Sequence, residues 1–267
     1  MKIKKIIKKK KIGFFIICRL ESKRLKQKIT RKVLGFSLLE ILVKRLIKKF
    51  GNDKIVICTS GKENFFFSEI VKKYNIKIFY GDSLNIFKRT IDAAQKYDIK
   101  NFARITGDNP LTDLDCLEKM ISLLDKKNFD YIYTNGLFDG LKPEIYSIKG
   151  IKKCSKLAED QHSSEYLTYY YLRKKIFKIF CLKQKKNKKE KFVSITIDKF
   201  HDLLNLKSIL KLEKDLYINK NEILKRLKKQ KEKKLQKLIP LKTKKYNVRL
   251  ITDLKDMKFI NLKDFSL

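Results

Sequence analysis

Short unbroken apolar runs alternate along this chain with longer stretches in which apolar residues recur every three or four positions. The first run, residues 13–18 (GFFIIC), predicts a strand buried on both faces. Residues 37–50 then place Leu38, Leu39, Ile41, Leu42, Leu46 and Ile47 at helical spacing, with Ser37 as N-cap and Glu40 at the capping-box position. The unit recurs as a strand at 54–60, a helix over about 63–74, a strand at 76–80 and a helix over about 84–97. Residues 101–106 and 129–134 read as a fourth and a fifth strand, with a helix near 113–124 between them. Strands alternating with helices across short linkers predict an α/β chain with a mostly parallel sheet covered on both faces. Ligands of such sheets bind beyond the carboxyl ends of the strands.

Past Asn135 the regularity weakens. Residues 143–148 (PEIYSI) read as a strand, 149–158 and 163–174 as helices, and 176–182 as another strand. The charged run KQKKNKKEK reads as a solvated turn, 193–198 (VSITID) as an apolar strand ending in an acid, and 201–237 as helical with Leu and Ile inside and Lys outside. No linker rich in Gly, Pro or Ser divides the chain, so the pattern predicts one domain over 1–237. Residues 1–11 form a basic N-terminal extension to it, and 238–267 are a tail whose structure the pattern does not determine.

Composition narrows the classes. The chain has 267 residues with Lys+Arg 66 against Asp+Glu 29, a formal charge of +37, yet 43% of it is hydrophobic, too much for a disordered polybasic chain. The cation is almost all lysine: only nine residues are Arg. Arg is the residue suited to bidentate base and phosphate contacts, so the excess reads as solvated surface and predicts no specific nucleic-acid partner. The five cysteines, Cys18, Cys58, Cys116, Cys154 and Cys181, never stand at CxxC spacing, which argues against a zinc site and a disulfide framework. No apolar stretch is long enough for a signal peptide or a membrane span, and the expectation is a soluble cytoplasmic protein.

Three strand ends carry unusual polar residues. The loop CRLESKRLKQK after the first strand holds Arg19, Ser22, Arg24 and Lys28, a cation cluster suited to a polyphosphate, and two of its cations are the otherwise scarce Arg. In RITGDNPL, Asp108 follows a strand and a glycine, and Asn109 and Pro110 enforce a turn that presents its carboxylate at the sheet edge. In TID, Asp198 ends the late strand in the same way. Two carboxylates beside a basic loop fit a magnesium-dependent phosphoryl transfer, because Mg²⁺ prefers a few hard oxygen ligands completed by phosphates and water. Each Asp read alone is an ordinary helix N-cap candidate.

These segments, together with YGDSLNIFKRTIDAA, DGLKPEIYS and TIDKFHDLLNL in the same order, resemble the cytidylyltransferases that make CMP-activated acidic sugars. The resemblance is to the spore coat polysaccharide branch, with CMP-acylneuraminate and CMP-3-deoxy-manno-octulosonate synthetases as relatives, and it runs over roughly residues 12–237. It implies a Rossmann-like nucleotide-diphospho-sugar transferase (glycosyltransferase A type) fold with a helical C-terminal tail. It also implies transfer of CMP from CTP to an acidic sugar, with Mg²⁺, for surface polysaccharide or glycan synthesis.

By the same resemblance, Arg19, Ser22, Arg24 and Lys28 form the nucleotide loop, with Arg19 and Lys28 catalytic, and Asp108 and Asp198 hold the metal. Ser83 lies where the family contacts the nucleoside and Thr106 where relatives contact the base, with Asp108 also on the nucleotide side. Glu144 and Glu165 match the sugar side, and family members are commonly homodimers. The chain departs from the family pattern at Glu21, Lys26 and Gln27 in the loop and at Lys142 and Tyr166 on the sugar side, while His162 and His201 match no motif position and read as surface.

Two other classes compete. A glycosyltransferase using a nucleotide-sugar donor would need a DxD metal motif, and the nearest string is Asp113-Leu114-Asp115, which reads as a helix cap and turn. A nucleic-acid binder would draw on the Lys runs, but the aromatic residues fall within apolar strands and helices rather than on an exposed basic face.

Overall fold

A computed structural model describes residues 2–21, 24–157, 171, 176–184 and 194–238, with side chains described to residue 229. The chain divides into two compact units, Met1–Lys225 and Arg226–Leu267. Of the second, residues 226–238 are described, as a continuous helix.

In chain order the first unit contains α1 (Lys2–Lys9), β1 (Ile12–Ile17), the small hairpin β2 (Lys32–Val33) and β3 (Phe36–Ser37), and α2 (Leu38–Phe50). Then come β4 (Ile55–Ser60), α3 (Phe65–Tyr74), β5 (Lys77–Gly81), α4 (Ile86–Lys96), β6 (Asn101–Thr106) and α5 (Leu114–Lys126). β7 (Tyr131–Asn135), β8 (Glu144–Ser147), α6 (Ile148–Leu157), β9 (Ile179–Lys183), α7 (Phe200–Ile209) and the start of α8 (Lys220–Leu238) complete it. Seven strands form one sheet in the order β5-β4-β1-β6-β8-β7-β9. Every neighbouring pair is parallel except those made by β8, which runs antiparallel to both β6 and β7. The reversal has a local cause: residues 136–143 return the chain from β7 to β8 without the helix a parallel crossover needs.

β1 and β4 are the continuous apolar runs the pattern predicts, with Phe14, Phe15, Ile16, Val56 and Ile57 fully buried. On one face of the sheet Phe15, Phe102, Tyr146 and Tyr131 form a row of stacked rings, with centroids 4.7, 5.5 and 4.6 Å apart across four strands, and pack against Phe87 and Ala93 of α4 and Ile151 of α6. On the other, Phe14 stacks on Phe50 of α2 at 4.6 Å. The α2 capping box forms as its sequence predicts: Ser37 Oγ accepts from the Glu40 amide, and Glu40 Oε2 accepts from the Ser37 amide.

Three expectations change. Residues 2–9 are a helix rather than a bare basic extension, with Ile6 and Ile7 buried as α1 packs on α5. Residues 194–198 do not join the sheet. They run beside it and donate to loop carbonyls, from the Ile195 amide to Asp139 and from the Ile197 amide to Asp108, each at 3.0 Å. The stretch 201–237 is broken between α7 and α8. There the buried Asp215 carboxylate accepts from the Lys211 and Leu212 amides, and the Arg45 guanidinium takes the carbonyls of Leu216 and Ile218, groups a continuous helix would need for itself. Burial pulls Arg45 down to about 10. Of the expected helix at 163–174 only the buried Tyr171 is described, and of the charged turn at 183–191 only Lys183, which ends β9, and Gln184; the rest lie outside the described residues.

Two expected outcomes follow from this packing. Ile6→Ala removes buried side-chain volume and is expected to lower the unfolding free energy by about 2 kcal/mol in urea denaturation; no change would show that α1 adds nothing to the core. Cys18, Cys58, Cys116 and Cys154 are buried, and burial pushes the thiols of Cys18, Cys116 and Cys154 up to about 12 and that of Cys58 upward as well. At about pH 8 a thiol reagent is therefore expected to label the half-buried Cys181 first and the other four cysteines only in denaturant. Equal labelling of all five in the folded chain would contradict this burial.

Candidate active site

The carboxyl edge of the sheet gathers the predicted residues. After β1 the chain leaves through Cys18 and Arg19 and returns in a single turn of 3-10 helix, Lys28–Thr30, entered through Gln27 in the left-handed conformation at φ 49°. Leu25 and Ile29 are buried and anchor this segment. Lys28 points between two carboxylates: its Nζ lies 2.7 Å from Asp108 Oδ2 and 2.9 Å from Asp198 Oδ1, and its side chain is only 11% exposed. Arg24 Nη2 adds a contact to Asp198 Oδ1 at 3.0 Å from a more exposed position.

The local sequence explains how the two acids meet. The Asn109 amide donates to the Thr106 carbonyl and Asn109 Nδ2 donates to Thr106 Oγ1 at 2.7 Å, closing the turn that holds Asp108. The bond from the Ile197 amide to the Asp108 carbonyl then lays the run carrying Asp198 directly against that turn. Gly140 makes this close approach feasible: at φ 93°, a Cβ there would lie 2.7 Å from the backbone of Ile195 and Thr196. Asp202 Oδ2 accepts from the amides of Asp198 and Lys199 and fixes the start of α7 just beyond the acid.

The two carboxylates fit a divalent cation. Their oxygens already converge on one cationic nitrogen, and they are hard oxygen donors of the kind Mg²⁺ takes. Asp113 and Asp115 play no part in this. Asp113 is the N-cap of α5, accepting from the amides of Asp115 and Cys116, and Asp115 pairs with Lys49.

On the β5 side, Asp82 Oδ1 accepts from the Leu84 and Asn85 amides, which hold its carboxyl below the usual carboxylate range, and Ser83 is exposed in the turn so formed. Arg89 of α4 reaches back beneath this turn and donates from Nη1 to the Asp82 carbonyl at 2.7 Å. Burial is the main cause that holds Arg89 below the ordinary arginine value, and the charge of nearby Arg19 acts in the same direction.

On the β8 side, Glu144 does not stand free. Its Oε2 takes Arg104 Nη1 at 2.8 Å and its Oε1 takes the Tyr131 hydroxyl at 2.6 Å. Burial is the largest single influence and opposes the Arg104 charge, but Glu144 together with Tyr146 and Tyr131 outweighs it and holds that guanidinium above its ordinary value. Lys142, one of the departures from the family pattern, pairs with Asp139 at 2.6 Å, and His201 is exposed on α7. Ser22, Glu165, Tyr166 and His162 lie outside the described residues.

The structure thus brings together Arg24, Lys28, Asp108 and Asp198, sets Thr106 beside them in the turn, and leaves Ser83 and Glu144 on flanking elements. Sequence reasoning missed Arg89 and Arg104. The scarcity of arginine that drew notice to Arg19 and Arg24 applies equally to these two. No described helix is long and apolar enough to cross a membrane.

Comparison with known proteins identifies the family. Residues 14–253 match the family model described as cytidylyltransferase. The uncharacterized protein MJ1063 of Methanocaldococcus jannaschii is 34% identical over 206 residues, 76% of this chain and 84% of that protein. The spore coat polysaccharide biosynthesis protein SpsF of Bacillus subtilis is 26% identical over 208 residues, 74% of this chain and 85% of that protein. A solved cytidylyltransferase from Leptospira borgpetersenii superposes with a TM-score of 0.75 at 25% identity, over 83% of this chain and 95% of that one. With the family model covering most of the sheet and every strand end that carries the site, this chain belongs to the cytidylyltransferase family of nucleotidyltransferases.

Proposed function

We propose that the protein transfers CMP from CTP to a hydroxyl of an acidic sugar, releasing pyrophosphate, in the synthesis of a surface polysaccharide or glycan. The observation that carries this reading is the convergence of Lys28, Asp108 and Asp198 at the carboxyl edge of the sheet. The likeness to SpsF supports the polysaccharide context.

Arg19, Arg24 and Lys28, with Ser22 of the same loop, bind the triphosphate and offset its charge. Ser83 and Thr106 line the nucleoside. Asp108 and Asp198 would hold a divalent cation, with Mg²⁺ the proposed ion, which would supply charge neutralisation at the reacting phosphate. The sugar hydroxyl oxygen forms a new bond to the α-phosphorus and gives up its proton to solvent water, while the bond from that phosphorus to the bridging oxygen breaks in line and the pyrophosphate leaves with the bonding pair. Arg19 and Lys28 stabilise the charge that develops on that bridging oxygen, so no covalent enzyme intermediate is needed. Glu144, oriented by Arg104 and Tyr131, stands with Glu165 on the acceptor side.

The test is pyrophosphate release from CTP, ATP, GTP and UTP with Mg²⁺ across a panel of acidic sugars. CTP with at least one sugar is expected to give turnover, and silence with every pairing would sink the reading. Lys28→Ala and Asp108→Asn are each expected to lower turnover by about a hundredfold or more while circular dichroism stays native. Wild-type rates in both variants would show that the chemistry lies elsewhere.

A further inference from the structure

We infer that Lys28 is an internal counter-cation that fills the seat between Asp108 and Asp198 until a polyphosphate draws it away, so that a divalent cation enters with the nucleotide and not before it. The inference rests on the reading of these two acids as metal ligands and concerns the order in which the site fills.

The geometry carries it. One ammonium nitrogen touches an oxygen of each carboxylate, at 2.7 and 2.9 Å, and so stands where an ion shared by both acids would stand. Ammonium and metal are therefore mutually exclusive occupants, and exclusion is a coupling free energy paid by whichever arrives second. The backbone beneath Lys28 stays put because Leu25 and Ile29 are buried. The four-carbon stem above it can swing without moving the loop.

Charge favours a joint arrival. Asp108, Asp198, Arg24 and Lys28 sum to zero as the structure stands. A bare divalent ion would free two side-chain cations with no anion to receive them, in a chain whose formal charge is already +37. A triphosphate supplies that anion. Lys28 and Arg24 then move onto phosphate oxygens as the metal takes the carboxylates, and no charge is left unpaired. The species the site accepts is accordingly the metal–triphosphate complex, with Lys28 screening the acids from free metal.

The experiment is titration of the nucleotide-free chain with Mn²⁺ alone, following the free ion by electron paramagnetic resonance. Lys28→Met is expected to bind Mn²⁺ about tenfold or more tightly than wild type, because the two charge-assisted contacts of Lys28 that the ion must displace in wild type are absent. Its thermal midpoint is expected to rise on adding Mn²⁺ by more than that of wild type. Adding Asp198→Asn to Lys28→Met is expected to remove the gain.

Equal affinities in wild type and Lys28→Met, or a gain that survives Asp198→Asn, would overturn the inference. Lys28→Gln, which keeps a neutral donor beside one carboxylate, is the companion variant should Lys28→Met not fold, and the same gain is expected of it. The readout needs no turnover. CTP turnover with equal Mn²⁺ affinities would remove this inference alone, whereas a gain in affinity without turnover of any triphosphate would remove the proposed reaction and leave the role of Lys28 standing.

Discussion

Two ionised carboxylates that converge on one half-buried point repel each other unless a cation lies between them, and much of this molecule serves that constraint. Asp108 and Asp198 are far apart in sequence and reach the same nitrogen only because a turn, a glycine and two backbone hydrogen bonds seat one segment on the other. Lys28 answers both acids from a loop whose buried leucine and isoleucine fix its base. The parallel part of the sheet sets the stage, since β1 and β6 are paired along their whole lengths and so end side by side. That shared edge is where the loop and the first acid emerge.

A second polar arrangement governs the β8 side. The antiparallel reversal puts Glu144 opposite Arg104, and the same face of β7 brings the Tyr131 hydroxyl to the other carboxylate oxygen. Because Glu144 already neutralises Arg104, a substrate anion on this side would meet a compensated pair. On the other side Arg24 and Lys28 of the loop are likewise paired, with Asp108 and Asp198. Charge is thus denser where a polyphosphate is proposed to bind than where the acceptor is proposed to sit, and these pairs are compensated on both sides.

What was legible in the sequence was what local chemistry decides. The buried strands announced themselves as apolar runs, and Ser37 with Glu40 predicted a capping box that the backbone forms. The three polar run ends were recognisable because Asp108, Asp198 and the loop cations follow apolar runs, although the run before Asp198 is not a strand of the sheet. Less local features were not. Ile6 and Ile7 lie in a lysine run that masks their helical spacing, and their burial depends on α5, more than a hundred residues onward. VSITID alternates like a strand, but its donors are satisfied by loop carbonyls rather than by a neighbouring strand. The break after α7 turns on Arg45 reaching across from α2, a contact no window of sequence contains.

That placement of residues 194–198 separates the durability of the site from the durability of the fold. Asp108 follows a central strand directly, whereas Asp198 rides on a segment outside the sheet, held by backbone bonds to Asp139 and Asp108, by the Asp202 carboxylate, by Lys28 and Arg24, and by the buried side chains of Ile195 and Ile197. Such a segment can lift while the sheet stays intact, since local opening draws on far fewer contacts than global unfolding. The site is thus tethered at one end to a strand of the sheet and at the other to a segment that pairs with no strand.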